Sequence, residues 1–244
     1  MLIKSAYIGL LIILLASSPS YASKKLLFTT IQKSSVQAIS HKVLEKAYAR
    51  LGLDIEVLEQ PGKRALHSSN SGAVDGELSR IAGINAEYEN LLMIPIAINS
   101  VEIIVMTKDI IFPVSGWESI RGYRIGVVRG IIFTERGTQG MHVSPSNSYE
   151  QLFKMLMGGR VDIIVIPYVS ALENLRKSNY SEIYRSHGLK ILKPVLTEHD
   201  LYHYLHVKHL ALKDKLTSVL EDMQSSGEIA KIRQEYIDKL YNGF

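Results

Sequence analysis

The chain has 244 residues, no cysteine and a formal net charge of +4. Without cysteine there is no disulfide framework, no thiolate metal site and no lipid-modified N-terminal cysteine. The 28 basic and 24 acidic residues are mixed along the chain, and no basic tract carries interleaved aromatics, which argues against nucleic acid as a partner.

The first residues read as an export signal. Lys4 supplies a positive charge, Ala6 to Ala16 is an apolar run, and Ser17 to Ala22 turns small and polar, with Ser20 and Ala22 at the −3 and −1 positions of a cleavage site. The run is much shorter than the ~20 apolar residues of a spanning helix. Cleavage after Ala22 is therefore predicted, leaving 222 residues (244 less 22), free in the periplasm and enough for two modest lobes.

Strands and helices then alternate. Leu26 to Thr30 reads as a buried strand. Ser34 and Ser35 can cap a helix whose apolar face is Val36, Ile39, Val43, Ala47 and Leu51, and Gly52 ends it. Leu53, Ile55 and Val57 alternate with Asp54 and Glu56 as a half-buried strand, ending near Leu58 where the alternation breaks. A short helix from about Lys63 follows Pro61 and Gly62 and closes at Gly72, and a short strand is expected at Ala73 to Asp75. This β-α-β-α-β run predicts a parallel sheet.

Leu91 to Met106 is a second apolar region, broken at Pro95 and at Asn99–Ser100. A fresh set begins beyond Pro113: a strand at Tyr123 to Val128, a helix start near Ile131 to Arg136, a helix at Tyr149 to Met157 ended by Gly158–Gly159, a buried strand at Val161 to Ile166, a helix at Val169 to Lys177 and a strand near Leu189 to Leu192. Two helices on either side of Gly227 form the tail, with Leu212, Leu216, Val219, Leu220 and Met223 on the first and Ile229, Ile232, Tyr236 and Leu240 on the second. One α/β block is thus inserted in another, predicting lobe 1 over residues 23–107 and 199–244, lobe 2 over 108–198, and a hinge between them.

Several stretches resemble bacterial extracellular solute-binding protein family 3. They are Ala47 to Gly52 (AYARLG), Pro61 to Leu66 (PGKRAL), Ser71 to Arg80 (SGAVDGELSR), Gly116 to Gly130 (GWESIRGYRIGVVRG), Met155 to Asp162 (MLMGGRVD) and Gly227 to Ile232 (GEIAKI), in the family's order over nearly all of the chain after residue 22. The resemblance implies a type II periplasmic binding protein fold, two α/β lobes joined by a two-strand hinge, closing on a small polar solute for an ABC transporter. In the family's usual pattern a lobe 1 arginine pairs with a ligand carboxylate, Ser or Thr after a lobe 2 glycine adds hydrogen bonds, and an Asp after the strand matching Val161 to Ile166 takes an amino group. This chain departs from that pattern: Arg80 follows Asp75 unusually closely, Ile131 and Ile132 follow Gly130, and Pro167 stands where the Asp would be. An ammonium buried there would lack a counter-charge, at a cost of several kcal/mol. An uncharged or anionic solute fits better.

The candidate ligand-binding residues follow. Arg80, expected just beyond a strand, can hold a carboxylate through two parallel hydrogen bonds or form a structural ion pair with Glu77. Arg64 starts a short helix and either faces the crevice or solvates the helix end. Glu77 can bind a cation or neutralise Arg80. Arg129 and Gly130 mark a strand-to-helix turn whose free N–H groups favour an anion. Tyr168 can stack on a ligand or pack the lobe, Phe28 and Thr29 end the first strand, and Trp117 is expected to be structural.

His199, His203, His206 and His209 are spaced for zinc only if helical, and Leu201 to Val207 reads as a strand that would split His203 from His206. No metal or cofactor is expected. No hydrolase or dinucleotide motif is present, so a monomeric binding protein rather than an enzyme is expected. The rivals are a dehydratase-like enzyme using Glu77 as acid or base and a partner-binding, signalling protein with an exposed apolar patch.

Overall fold

A computed structural model describes residues 25–32, 34–177, 180–186 and 188–242; the predicted export signal lies outside the described residues. The chain opens with strand β1 (Lys25–Ile31), helix α1 (Ser35–Ala49), strand β2 (Asp54–Gln60), helix α2 (Gly62–Asn70) and strand β3 (Gly76–Ile81). β1 pairs in parallel with both β2 and β3, as the alternating pattern requires. Ser34 takes the N-cap position of α1, but its side chain makes no capping bond.

Two boundaries differ from the sequence reading. β2 continues through Leu58 to Gln60, because its backbone ladder with β1 runs on to the Ile31–Gln60 pair. Leu58 is 41% exposed on this edge strand, so the side-chain pattern fails where the hydrogen bonds do not. β3 begins at Gly76 rather than Ala73, which puts Glu77 and Arg80 inside the strand. Glycine is needed at that start: a Cβ on Gly76 would stand 2.1 Å from the Tyr204 carbonyl oxygen of the neighbouring strand.

β4 (Leu91–Thr107) is one 17-residue strand, not the interrupted region expected. Register shifts between Met93 and Ala97, and between Ala97 and Asn99, absorb Pro95 and the polar Asn99–Ser100 step. Then come β5 (Ile125–Val128), α3 (Ile132–Gly137), β6 (Val143–Ser146), α4 (Tyr149–Met157), β7 (Ile163–Pro167), α5 (Tyr168–Lys177) and α6 (Tyr180–Arg185). The strand predicted near Leu189 is the start of β8 (Lys190–His206), also 17 residues long and antiparallel to β4. Helices α7 (Leu210–Ser225) and α8 (Glu228–Tyr241) follow.

Among the described residues the strands form one sheet in the order β2-β1-β3-β8-β4-β7-β5-β6. β4 and β8 sit at its centre. Their outer halves pair with β3 on one side and β7 on the other, so both run through two α/β lobes. In lobe 1, Val43, Leu44 and Tyr48 of α1 and Leu216, Leu220 and Met223 of α7 share a core with Leu26, Phe28 and Leu78. In lobe 2, Leu152, Phe153 and Leu156 of α4 share one with Ile104, Met106 and Ile164. Each such side chain contributes about 1.5–3 kcal/mol by burial. A third cluster crosses between the lobes: Val36 and Ile39 of α1 and Ile237 and Leu240 of α8 join Val169 and Leu172 of α5. Trp117 is structural as expected, since Gly137 admits its ring: a Cβ there would fall 2.2 Å from a ring carbon.

Candidate functional site

The register shows where a crevice between the lobes would lie. Ile81, the last residue of β3, pairs with Leu201, and Pro167, the last of β7, pairs with Ile103. Asn99 and Ile103 of β4 pair in turn with Leu201 and Thr197 of β8. The carboxyl ends of β1 and β3 therefore point at those of β5 and β7 across the middle of the two long strands. Ligands of open α/β sheets bind outside the carboxyl ends of parallel strands.

On the lobe 1 side, Arg80 is only 8% exposed. Its Nε donates to Glu77 Oε1 at 2.7 Å, and Nη2 lies at 2.7 Å from the same oxygen and donates to the Gly62 carbonyl at 3.2 Å. Its Nη1 has no hydrogen-bond partner among the described residues. Glu77 is fully buried, and its other oxygen lies 2.8 Å from Thr29 Oγ1 and 3.1 Å from Ser69 Oγ. Burial pushes the Glu77 carboxyl above its ordinary pKa, against the opposing pull of Arg80, Thr29 and Ser69. Glu77 thus neutralises Arg80 and anchors it. In this conformation the Glu77 carboxyl is closed off from solvent.

Phe28 and Thr29 are also fully buried. Phe28 belongs to the lobe core, and Thr29 braces Glu77, so neither presents surface to a solute. Arg64, on the first turn of α2, is exposed and unpaired among the described residues.

On the lobe 2 side, the Arg129 N–H donates to the Ser146 carbonyl at 3.0 Å while its side chain is exposed and unpaired among the described residues. Gly130 has a left-handed φ of 83°, and its N–H donates to Glu135 Oε1 at 2.7 Å, so that donor is already occupied. Tyr168 is half-buried against both clusters that reach lobe 2. Burial raises its pKa first, and Tyr184, Glu102 and Tyr241 add to that. Phe133 of α3 leans over the hinge, its ring 6.0 Å from that of His199.

Some residues of this region escaped the sequence reading. Ser69 braces Glu77, and no local pattern marks it. Thr30 Oγ1 is buried without a partner among the described residues. Asn99 ties the hinge to α1, donating to the Val36 carbonyl at 3.0 Å and Ser40 Oγ at 3.2 Å. The histidines do not gather: His203 is fully buried in lobe 1 while His209 pairs with Asp75 at 2.6 Å, and no metal-binding group of acids and histidines occurs among the described residues. No described helix is long and apolar enough to cross a membrane.

No family model matches the chain. A curated relative from Shewanella oneidensis, described as an uncharacterized protein, is 26% identical over 195 residues, spanning 78% of this chain and 72% of that protein. Among solved structures, the chain is similar to the GluR0 ligand-binding core in complex with L-glutamate, at 12% identity and a TM-score of 0.69, covering 88% of this chain and 99% of that one. It is similar to a histidine kinase sensor domain resembling periplasmic binding proteins, at 14% identity and a TM-score of 0.66, covering 88% and 96%. An arginine third transport system periplasmic binding protein from Legionella pneumophila aligns at 13% identity with a TM-score of 0.63, covering 88% and 100%. These likenesses, with the sheet order and the two long central strands, establish the architecture: the chain has the type II periplasmic binding protein fold, two α/β lobes joined by two strands.

Proposed function

We propose that this chain is an exported solute-binding protein, related to the extracellular solute-binding family 3, that captures a small polar or anionic solute between its lobes by hinge closure. The observation that carries the reading is Arg80, held at the crevice end of β3 by a fully buried carboxylate and keeping one guanidinium nitrogen without a partner among the described residues. Residues 23–107 with 199–244 form one lobe and 108–198 the other. Arg64 of lobe 1 and Arg129, Gly130 and Tyr168 of lobe 2 are assigned to the two sides of the crevice. Cleavage after Ala22 delivers a monomer to the periplasm, where an ABC transporter permease is its partner.

Charge selects the solute class. Glu77 already cancels Arg80, and Pro167 ends β7 with no carboxylate, so an ammonium would meet no free counter-charge at either place. Arg64 and Arg129 supply positive charge from opposite lobes. An uncharged or anionic solute gains from this arrangement, and a cationic one does not.

A thermal-shift panel tests the proposal on the protein lacking residues 1–22. Succinate, citrate, inorganic phosphate, glutamate and arginine are compared at matched ionic strength. The expected result is a concentration-dependent rise in melting temperature with an anionic member, saturating by mass action, and none with arginine. A rise with arginine alone would overturn the assigned charge class, and no rise with any compound, with side chains found filling the crevice in a crystal structure, would sink the binding role.

A further inference from the structure

β3 carries one more residue than β8 between two paired positions. Glu77 pairs with Tyr204 and Arg80 with Tyr202, three steps on one strand against two on the other. In a regular strand, side chains three apart emerge on opposite faces. The extra residue cancels that alternation. Glu77 and Arg80 therefore share the face that carries α2, where Ser69 and Gly62 receive them. The two residues between them turn the other way. Leu78 enters the core beneath α1, and Ser79 reaches Gln37 and Ser40 of α1 at 2.7 and 2.9 Å.

His203 stands opposite this bulge, between Tyr202 and Tyr204, and is fully buried. Its Nδ1 is 3.0 Å from the Leu78 carbonyl oxygen and its Nε2 is 2.8 Å from the Tyr48 hydroxyl. A carbonyl only accepts, so Nδ1 bears the proton and Nε2 of the neutral ring accepts from Tyr48. Phe28 packs edge-on to the imidazole at 4.7 Å between ring centres, which further fixes its plane. The relay from Tyr48 through His203 ends on the carbonyl of a bulge residue, and the bulge decides which face Arg80 leaves from.

We infer that Tyr48 and His203 are positioning residues for Arg80: they pin the β3 bulge and thereby aim the guanidinium at the crevice, without touching a solute. The inference deepens the proposed binding role and rests on it for its functional meaning. Its physical content is narrower. Removing the donor to Leu78 should loosen the bulge and release Arg80 from Glu77, because register and facing are coupled in a strand.

The experiment uses solute-free protein, so its outcome is independent of any solute screen. Hydrogen exchange at the Arg80 Nε–H is followed by nitrogen-15 NMR. In the unaltered protein Glu77 protects that proton. His203→Leu is expected to speed its exchange about tenfold or more, Tyr48→Phe about threefold, and His203→Gln, which keeps a donor for Leu78, about twofold or less. Tyr48→Phe is nearly isosteric and carries the test if His203→Leu does not fold. Unchanged Arg80 protection in Tyr48→Phe and His203→Leu, with a lowered melting temperature, would overturn the inference by showing a merely structural pair. Equal loss in His203→Gln and His203→Leu would overturn it too.

Discussion

On the lobe 1 wall of the crevice the Glu77–Arg80 pair is enclosed and bonded: Glu77 is fully buried, Arg80 nearly so, and Thr29, Ser69 and the Gly62 carbonyl bond to them, while Arg80 Nη1 and the exposed Arg64 have no partner among the described residues. On the lobe 2 wall Arg129 is exposed and unpaired among the described residues, Gly130 has a left-handed backbone, and Pro167 and Tyr168 offer little charge. On the proposed binding role, the Glu77–Arg80 pair of the first wall is set before a solute arrives. The second has side chains free to settle on one. A receptor that closes by a hinge gains affinity when one half needs no ordering, since immobilising each flexible side chain costs about 0.5–1.5 kcal/mol. On the proposed binding role, a solute would meet Arg80 of lobe 1 as a fixed template and lobe 2 as a cover.

The largest effect expected from this contrast follows Glu77→Ala. It leaves Arg80 buried without its counter-charge and strips two hydroxyls of an acceptor. Breaking a buried ion pair from one side costs about 3–5 kcal/mol, read as a lower urea midpoint with unchanged slope. A loss under about 1 kcal/mol, typical of an exposed pair, would show that the lobe 1 wall is not set in advance.

The second break uses pH. Burial depresses the His203 pKa to about 4, against the usual value of 6.5, although the Leu78 and Glu77 carbonyls pull the other way. The folded protein thus keeps a neutral ring while the unfolded chain takes up a proton below pH 6.5. The contribution of His203 is fully present above that pH, declines as the pH falls, and is gone below about pH 4. The difference between the two pKa values corresponds to about 3 kcal/mol. Two nearby carboxyls shift in opposite directions: the Asp75 pKa, which burial alone would raise, is held low by Leu27, His209 and Lys208, while burial raises that of Glu77. Subtracting the urea-stability profile of His203→Gln from that of the unaltered protein between pH 7 and 4 isolates the histidine. A flat difference would mean the ring is charged, or wet, in the folded state.

A third variant asks where the rigidity of lobe 2 resides. Gly137→Ala drives a methyl into the Trp117 ring behind the cover wall. Overpacking of this kind costs about 1–3 kcal/mol. The stability loss is expected to exceed that of any substitution at Arg129, which would place the firmness of lobe 2 in its core and not at its crevice face.

How much of this was legible in the sequence depends on how local each signal is. The α1 face at Val36, Ile39, Val43 and Ala47 and the alternation at Ile55 and Val57 are set by neighbours in the chain, and both elements formed there, with β2 running on to Gln60. β4 and β8 were not legible as single strands. Pro95 and Asn99 look like breaks, and what carries the strand past them is pairing with residues about a hundred positions away. The Glu77–Arg80 pair was visible as an option because both lie in one short stretch. The bulge that makes it possible was not, since it depends on His203 and Tyr48, which are distant in the chain. The strand read at Leu201 to Val207 is the end of β8, which closes at His206, and His203 within it is a buried hydrogen-bonding group.

The smallest expected stability effect is the most informative about the solute. Arg129→Ala and Arg64→Ala each remove an exposed cation with no protein partner among the described residues, so unfolding free energy should change by no more than about 0.5 kcal/mol. If both arginines meet the solute, each variant should still shrink the melting-temperature rise given by the anionic compound active in the panel, and the double variant should abolish it. An unequal result sharpens the contrast between the walls. Loss confined to Arg129→Ala would mean that lobe 1 contributes only through the fixed Arg80, and that the adaptable charge lies in the cover. An unaltered rise in both variants would remove these arginines from the site and leave Arg80 Nη1 as the group a solute must reach.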